Sequence, residues 1–140
     1  MATPQLHTRH VILKPCVHPI DLTAGPLTGD YTHMKYYDAV LVSCYMGTMT
    51  QPETITVEQC TQDADAGGDA KAIGTGKTIT AVSNSIVSVD VTAPELDVDG
   101  GFEWLKVTTS VNVGQAALGC VFVAAYRFRF AEEPMIDPMV

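Results

Sequence analysis

The feature that most constrains this chain is an alternation of short, β-branched apolar runs with glycine-rich turns, and no stretch of about 10–12 residues carries a helical period. Runs fall at 11–13, 38–46, 53–61, 77–82, 86–92, 102–109 and 118–130. In the third, Ile55 and Val57 fall on one side and Thr54, Thr56 and Glu58 on the other, the pattern of a half-buried strand. In the fifth, Ile86, Ser88 and Asp90 oppose Val87, Val89 and Val91. DAVLVSCYM at 38–46 is apolar almost throughout, as a buried strand reads, and Pro15 closes the first run. Turn signals separate the runs at 24–26, 27–30, 51–52, 66–69, 99–101 and 112–114. About seven or eight short strands without crossover helices predict an all-β fold, an antiparallel jelly roll or β-sandwich.

A length of 140 residues predicts one domain. Residues 1–10 read as an N-terminal arm, 11–130 as the sandwich and 131–140, with two prolines, as a C-terminal tail. Hydrophobic residues make up 46%, enough for a core and too many for a disordered chain. Eight Lys and Arg against sixteen Asp and Glu give a net charge of −8, the wrong sign for phosphate binding, so no nucleic-acid partner is expected. No apolar run approaches the ~18 residues of a membrane span, and MATPQLHTRH lacks the apolar core of a signal peptide. Cys16, Cys44, Cys60 and Cys120 are scattered and read as reduced thiols in a cytoplasmic setting, with a disulfide left open.

Motifs for chemistry are weak. Gly74-Thr75-Gly76-Lys77-Thr78 resembles the end of a phosphate loop, but Lys71 stands where the first glycine belongs and a strand-like run follows. Asp63, Asp65 and Asp69, and again Asp97 and Asp99, fail the ligand spacing of a calcium loop. His7, His10, Cys16 and His18 lack the paired spacing of a zinc site. No nucleophile elbow is present, and Glu132 and Glu133 lie in the proline-rich tail. These patterns predict no enzyme, no cofactor, no metal and no small-molecule substrate. Trp104 reads as a core residue, whereas the alternating Tyr126, Arg127, Phe128, Arg129 and Phe130 read as core or a subunit interface.

Two stretches carry a resemblance. PELDVDGGFEWLKVTTSVNVGQAALGCVF, from Pro94, and IDLTAGPLTGDYTHMKYYDAVLVSCYMGTM, from Ile20, resemble the small head proteins of tailed phages, the cement or decoration proteins. The D-V-D-G-G loop is the more specific part, a signature of the fold. The resemblance implies a jelly-roll protein on the outer surface of an HK97-like head. There it would pair as a homodimer, clamp neighbouring major capsid subunits and carry no catalytic residue. Two contact sets are expected from the residues themselves. Leu6, His7, Arg9 and His10 of the arm, with Met135, Ile136 and Met139 of the tail, would add to neighbouring chains. Glu95, Asp97, Asp99 and Glu103 would meet basic groups of the shell. A head–tail joining or tail component, a non-viral β-sandwich binding module and an enzyme stand as the alternatives.

Overall fold

The computed structural model describes residues 11–21, 27–35, 37–62, 69–110 and 117–128, with Val11, Ile12, Pro19, Ile20, Asp21, Ala117, Arg127 and Phe128 described through their backbone. Eight strands follow in order: β1 (Val11–Asp21), β2 (Thr32–His33), β3 (Tyr37–Met49), β4 (Glu53–Cys60), β5 (Lys71–Ala81), β6 (Ser85–Thr92), β7 (Trp104–Thr109) and β8 (Ala117–Phe128). A short 3₁₀ turn, Ala93–Glu95, follows β6.

The strands form two four-stranded sheets, β1-β8-β3-β6 and β2-β7-β4-β5, called sheets A and B below. Every pairing is antiparallel. First pairs with last, second with seventh, third with sixth and fourth with fifth. The chain is thus a long hairpin rolled so that successive strands change sheet, except at β4–β5. That winding is the jelly roll, and the expected all-β antiparallel class is the observed one.

Alternation along the strands fills the space between the sheets. Val40, Val42, Cys44 and Met46 of β3 and Val121, Val123 and Ala125 of β8 face Ile55 and Val57 of β4 and Leu105 and Val107 of β7, all buried. Each such aliphatic side chain contributes roughly 1.5–3 kcal/mol by leaving water. β8 comes close to β3 at Gly119, where a Cβ would overlap Met46 Sδ and stand 2.8 Å from the Tyr45 carbonyl.

Three elements differ from the sequence expectation. β1 does not stop at Pro15 but runs to Asp21, because it is an edge strand whose register shifts between Pro15 and Val17 and again before Ile20. β5 starts at Lys71, and the glycine motif is a bulge inside it: Val57 pairs with Lys77 and the next residue, Glu58, with Ala72. β2, two residues long, had no readable period.

Candidate interaction surface

The two outer faces of the sandwich differ in chemistry. On sheet B the register aligns Thr78, Thr56, Thr108 and Thr28 in one row across the sheet, beside the cross-strand pair Glu58 and Lys106. Such a face is polar and suits water.

Sheet A is apolar on its outer face. Register sets Leu13, Ala124, Leu41 and Asp90 in one row, Pro15, Phe122, Ser43 and Ser88 in the next, and Cys120, Tyr45 and Ile86 in a third. Leu13 is 68% exposed, Ile86 65%, Leu118 56% and Tyr45 52%. Leu41, Cys120 and Phe122 are half-buried between them. In these rows Asp90 is the one charged side chain. At the β1 side, Leu13, Pro15, Val17, Cys120 and Phe122 line an open hollow of about 370 Å³. Clustered exposed apolar side chains of this kind mark interaction sites, whereas scattered ones need no explanation.

Burial holds the thiols near this sheet protonated. Desolvation, then the neighbouring Asp30 carboxylate, pushes the Cys16 thiol up to about 12; desolvation and nearby Cys120 push Cys44 up to about 11. All four cysteines are free.

The acidic residues singled out from the sequence lie around the 3₁₀ turn and the loop into β7. Glu95 pairs with Lys77 at 2.7 Å and accepts the Thr92 N–H at 2.7 Å; Lys77 first, then Thr92, holds its carboxyl below the ordinary range. Asp97 pairs with Lys71 at 2.6 Å and accepts the Gly100 N–H at 3.0 Å, which lowers its pKa in that order of effect. Lys71 also sits 3.8 Å from the Phe102 ring centre. Glu103 lies 3.3 Å from His33, whose ring stacks on Trp104 with centroids 4.3 Å apart. Asp99 is exposed in the turn, which Gly101 closes with φ of +85°. Three of the four acids therefore already have a lysine or histidine of their own chain.

Tyr126 stands on β8 opposite Ala39 and Val11, half-buried in the row beyond Leu13, and Phe128 pairs with Tyr37. Tyr126 and Phe128 thus lie on β8, one of the two inner strands of sheet A. Leu6, His7, Arg9, His10, Arg129, Phe130, Met135, Ile136 and Met139 lie outside the described residues. Among the described residues no three His, Cys, Asp or Glu side chains cluster closely enough to hold a metal ion. No helix of the described residues is long and apolar enough to cross a membrane.

Leu13, Leu41, Tyr45, Ile86, Leu118 and Phe122 were not singled out from the sequence as a surface. A signal existed: β3 and β8 are apolar at consecutive positions, so both of their faces avoid water, although an antiparallel sandwich covers only one.

No protein-family model matches the chain, and no curated protein matches it by sequence. Solved structures do. A chain from the structure of infectious bursal disease virus, Gx strain, aligns with 89% of this chain at 14% identity and a TM-score of 0.40. This chain spans about a third, 33%, of that one. The coat protein of tobacco streak virus aligns with all of this chain and 99% of its own at 12% identity and a TM-score of 0.35.

Proposed function

We propose that this chain is a structural virion protein: a cement or decoration protein of a tailed-phage head. It lies on the outer surface of an HK97-like shell and binds across neighbouring major capsid subunits, as a homodimer. The observation that carries the reading is the exposed apolar outer face of sheet A, set against the threonine-rich face of sheet B. A rigid sandwich with one dry face and one wet face suits a plate laid on another protein's surface. The sequence resemblance supplies the identity of that surface.

The physics of clamping is simple. Packaged DNA pushes the shell outward. A protein that binds only the assembled boundary between subunits raises the free energy of separating them. Repeated around the particle, modest contacts sum. The paired acids Glu95, Asp97 and Glu103, with Asp99, would rim the contact, where charges set register and association rate rather than affinity.

The test adds the purified chain to heads that lack it and counts bound copies across a salt series. Saturation at a copy number comparable with that of the capsid subunits is the expected result. Saturation at a single small ring would instead assign a joining protein, and absence of binding would overturn the virion reading.

A further inference from the structure

Three of the four sheet edges are shaped against further pairing. β1 contains Pro15 and two register shifts. β2 is two residues long. β5 carries the bulge between Ala72 and Lys77, with Gly74 at φ +59° and Gly76 at +114°. Prolines, bulges and very short strands are the usual devices that stop edge-to-edge association. β6 has none of these: its eight residues pair with β3 in unbroken register from Ser85 to Thr92, without proline, lysine or arginine.

Two contacts show which way the β6 backbone faces. Lys77 Nζ donates to the Asp90 carbonyl at 3.0 Å, and the Thr92 N–H donates to the Glu95 carboxylate at 2.7 Å. Both groups therefore point away from β3, and by alternation so do the N–H and C=O of Ile86 and Ser88. Lys77 and Glu95 also pair with each other. One half of the free edge is thus closed by an ion pair of the same chain. β5 comes close to β6, but at Ile86 and Ser88 no hydrogen bond among the described residues closes the edge.

We infer that this open half is a self-pairing edge: two copies join through β6, antiparallel, about a two-fold axis at Val87. Ile86 then faces Ser88 of the partner subunit, and the two equivalent pairs exchange about four main-chain hydrogen bonds. The position of the clamp selects a second copy as the occupant. In this register Asp90 faces Asn84 of the partner subunit, and in this chain Asn84 lies in the turn that begins β6, with φ of +54°. Each Lys77–Glu95 clamp then falls past the end of the opposite strand. A longer strand from another protein would run into it.

Pairing makes sheet A eight-stranded and brings Ile86 and Tyr45 of both copies together at its centre. The apolar face of one copy, four strands wide and about seven residues long, is roughly 400 Å². Two side by side give about 800 Å², the share of one partner in a standard protein interface. The inference rests on the proposed function for the surface that this platform covers; the pairing itself is measured without heads.

The experiment follows the mass of the purified full chain by sedimentation from nanomolar to high micromolar concentration, with amide exchange on the same samples. Wild type should reach twice the chain mass, with the Ile86 and Ser88 amides protected only in the paired form. Ile86→Lys places a charge at the junction, and Ser88→Pro removes an outward N–H that β3 does not use; both should stay single at every concentration. Leu13→Lys, on the far side of the sheet, should still pair. A wild type that stays single, or pairing that persists in both folded variants, overturns the inference. Should a variant fail to fold, unprotected Ile86 and Ser88 amides in concentrated wild type overturn it instead. A chain that pairs but ignores heads refutes the cement reading alone; one that decorates heads as a single copy refutes the pairing and the homodimer, and leaves the cement reading standing.

Discussion

The side-chain oxygen of Gln59 accepts the backbone N–H of Asp97 at 2.8 Å, while its amide donates to the Ala72 carbonyl at 3.0 Å. A single buried amide on β4 thus ties the loop before β7 to the start of β5. Asp97 then holds the loop from within, accepting from Gly100 and Phe102 through its own backbone carbonyl as well. The D-V-D-G-G sequence is therefore a lock between elements.

Removing that amide should be costly, because a part-buried N–H and a part-buried C=O lose their partners together. Gln59→Leu, which keeps the volume, should destabilise the chain by about 1–3 kcal/mol in urea unfolding. Lys71→Ala breaks an exposed ion pair and the contact with the Phe102 ring, and should cost less than Gln59→Leu. Equal effects would show that the loop is held from outside.

Close approach makes the second prediction. Gly119→Ala puts a methyl group against Met46 and the Tyr45 carbonyl, and the backbone oxygen cannot swing away. A loss of about 1–3 kcal/mol is expected. At Gly47 the nearest atom to an added methyl is 3.5 Å away, so Gly47→Ala should change the same unfolding midpoint much less.

Much of this architecture was legible in the sequence, for physical reasons that differ by element. β4 as far as Gln59 and β6 throughout alternate, because each has one face turned to the core and one turned outward, and the sides read for Ile55, Val57, Thr54, Thr56 and Glu58 and for residues 86–91 hold. β1 was hidden because proline normally ends a strand, yet an edge strand with bulges has outward N–H groups to spare. β5 was cut short at its N-terminal side because a glycine bulge erases the period. The apolar outer face escaped because it belongs to no single segment. Leu13, Tyr45, Ile86 and Phe122 come from four strands, and only the register brings them together.

Acid should weaken the fold through Glu95 and Asp97. Both carboxyls are held below their ordinary values of 4.5 and 3.8 in the folded chain. Their ion pairs therefore contribute fully above those values, and the contribution is lost as pH falls through the lower folded ones. Glu95→Gln and Asp97→Asn should be slightly less stable than wild type at pH 7, and the deficit should vanish in acid. Both pairs are near the surface, so high salt should shrink the deficit at neutral pH. A deficit that grows on acidification would contradict the assignment.

Thiol labelling reports on the outer face of sheet A, the face that the proposed function uses. Cys16, Cys44 and Cys60 are buried, and burial pushes Cys16 to about 12 and Cys44 to about 11, so none should react with a disulfide reagent in the native chain at pH 8. Cys120 is half-buried on the outer face of sheet A and should label slowly. Bound to heads it should be shielded, whereas denaturant should release all four. Full labelling of Cys120 on decorated heads would place the contact elsewhere.

Charge placed on each face in turn decides which one binds. Leu13→Lys and Leu118→Lys change residues already more than half exposed, so the fold should lose no more than about 0.5 kcal/mol. On the shell, each would bury an unpaired ammonium in an apolar contact, and a loss of about 2 kcal/mol, roughly thirtyfold in affinity, is expected. Thr56→Lys and Thr78→Lys, on the outer face of sheet B, should bind as wild type does. The reverse pattern would turn the sandwich over and leave the apolar face for another partner. Equal losses from both faces would mean that the chain inserts edgewise between subunits, with neither sheet lying flat on the shell.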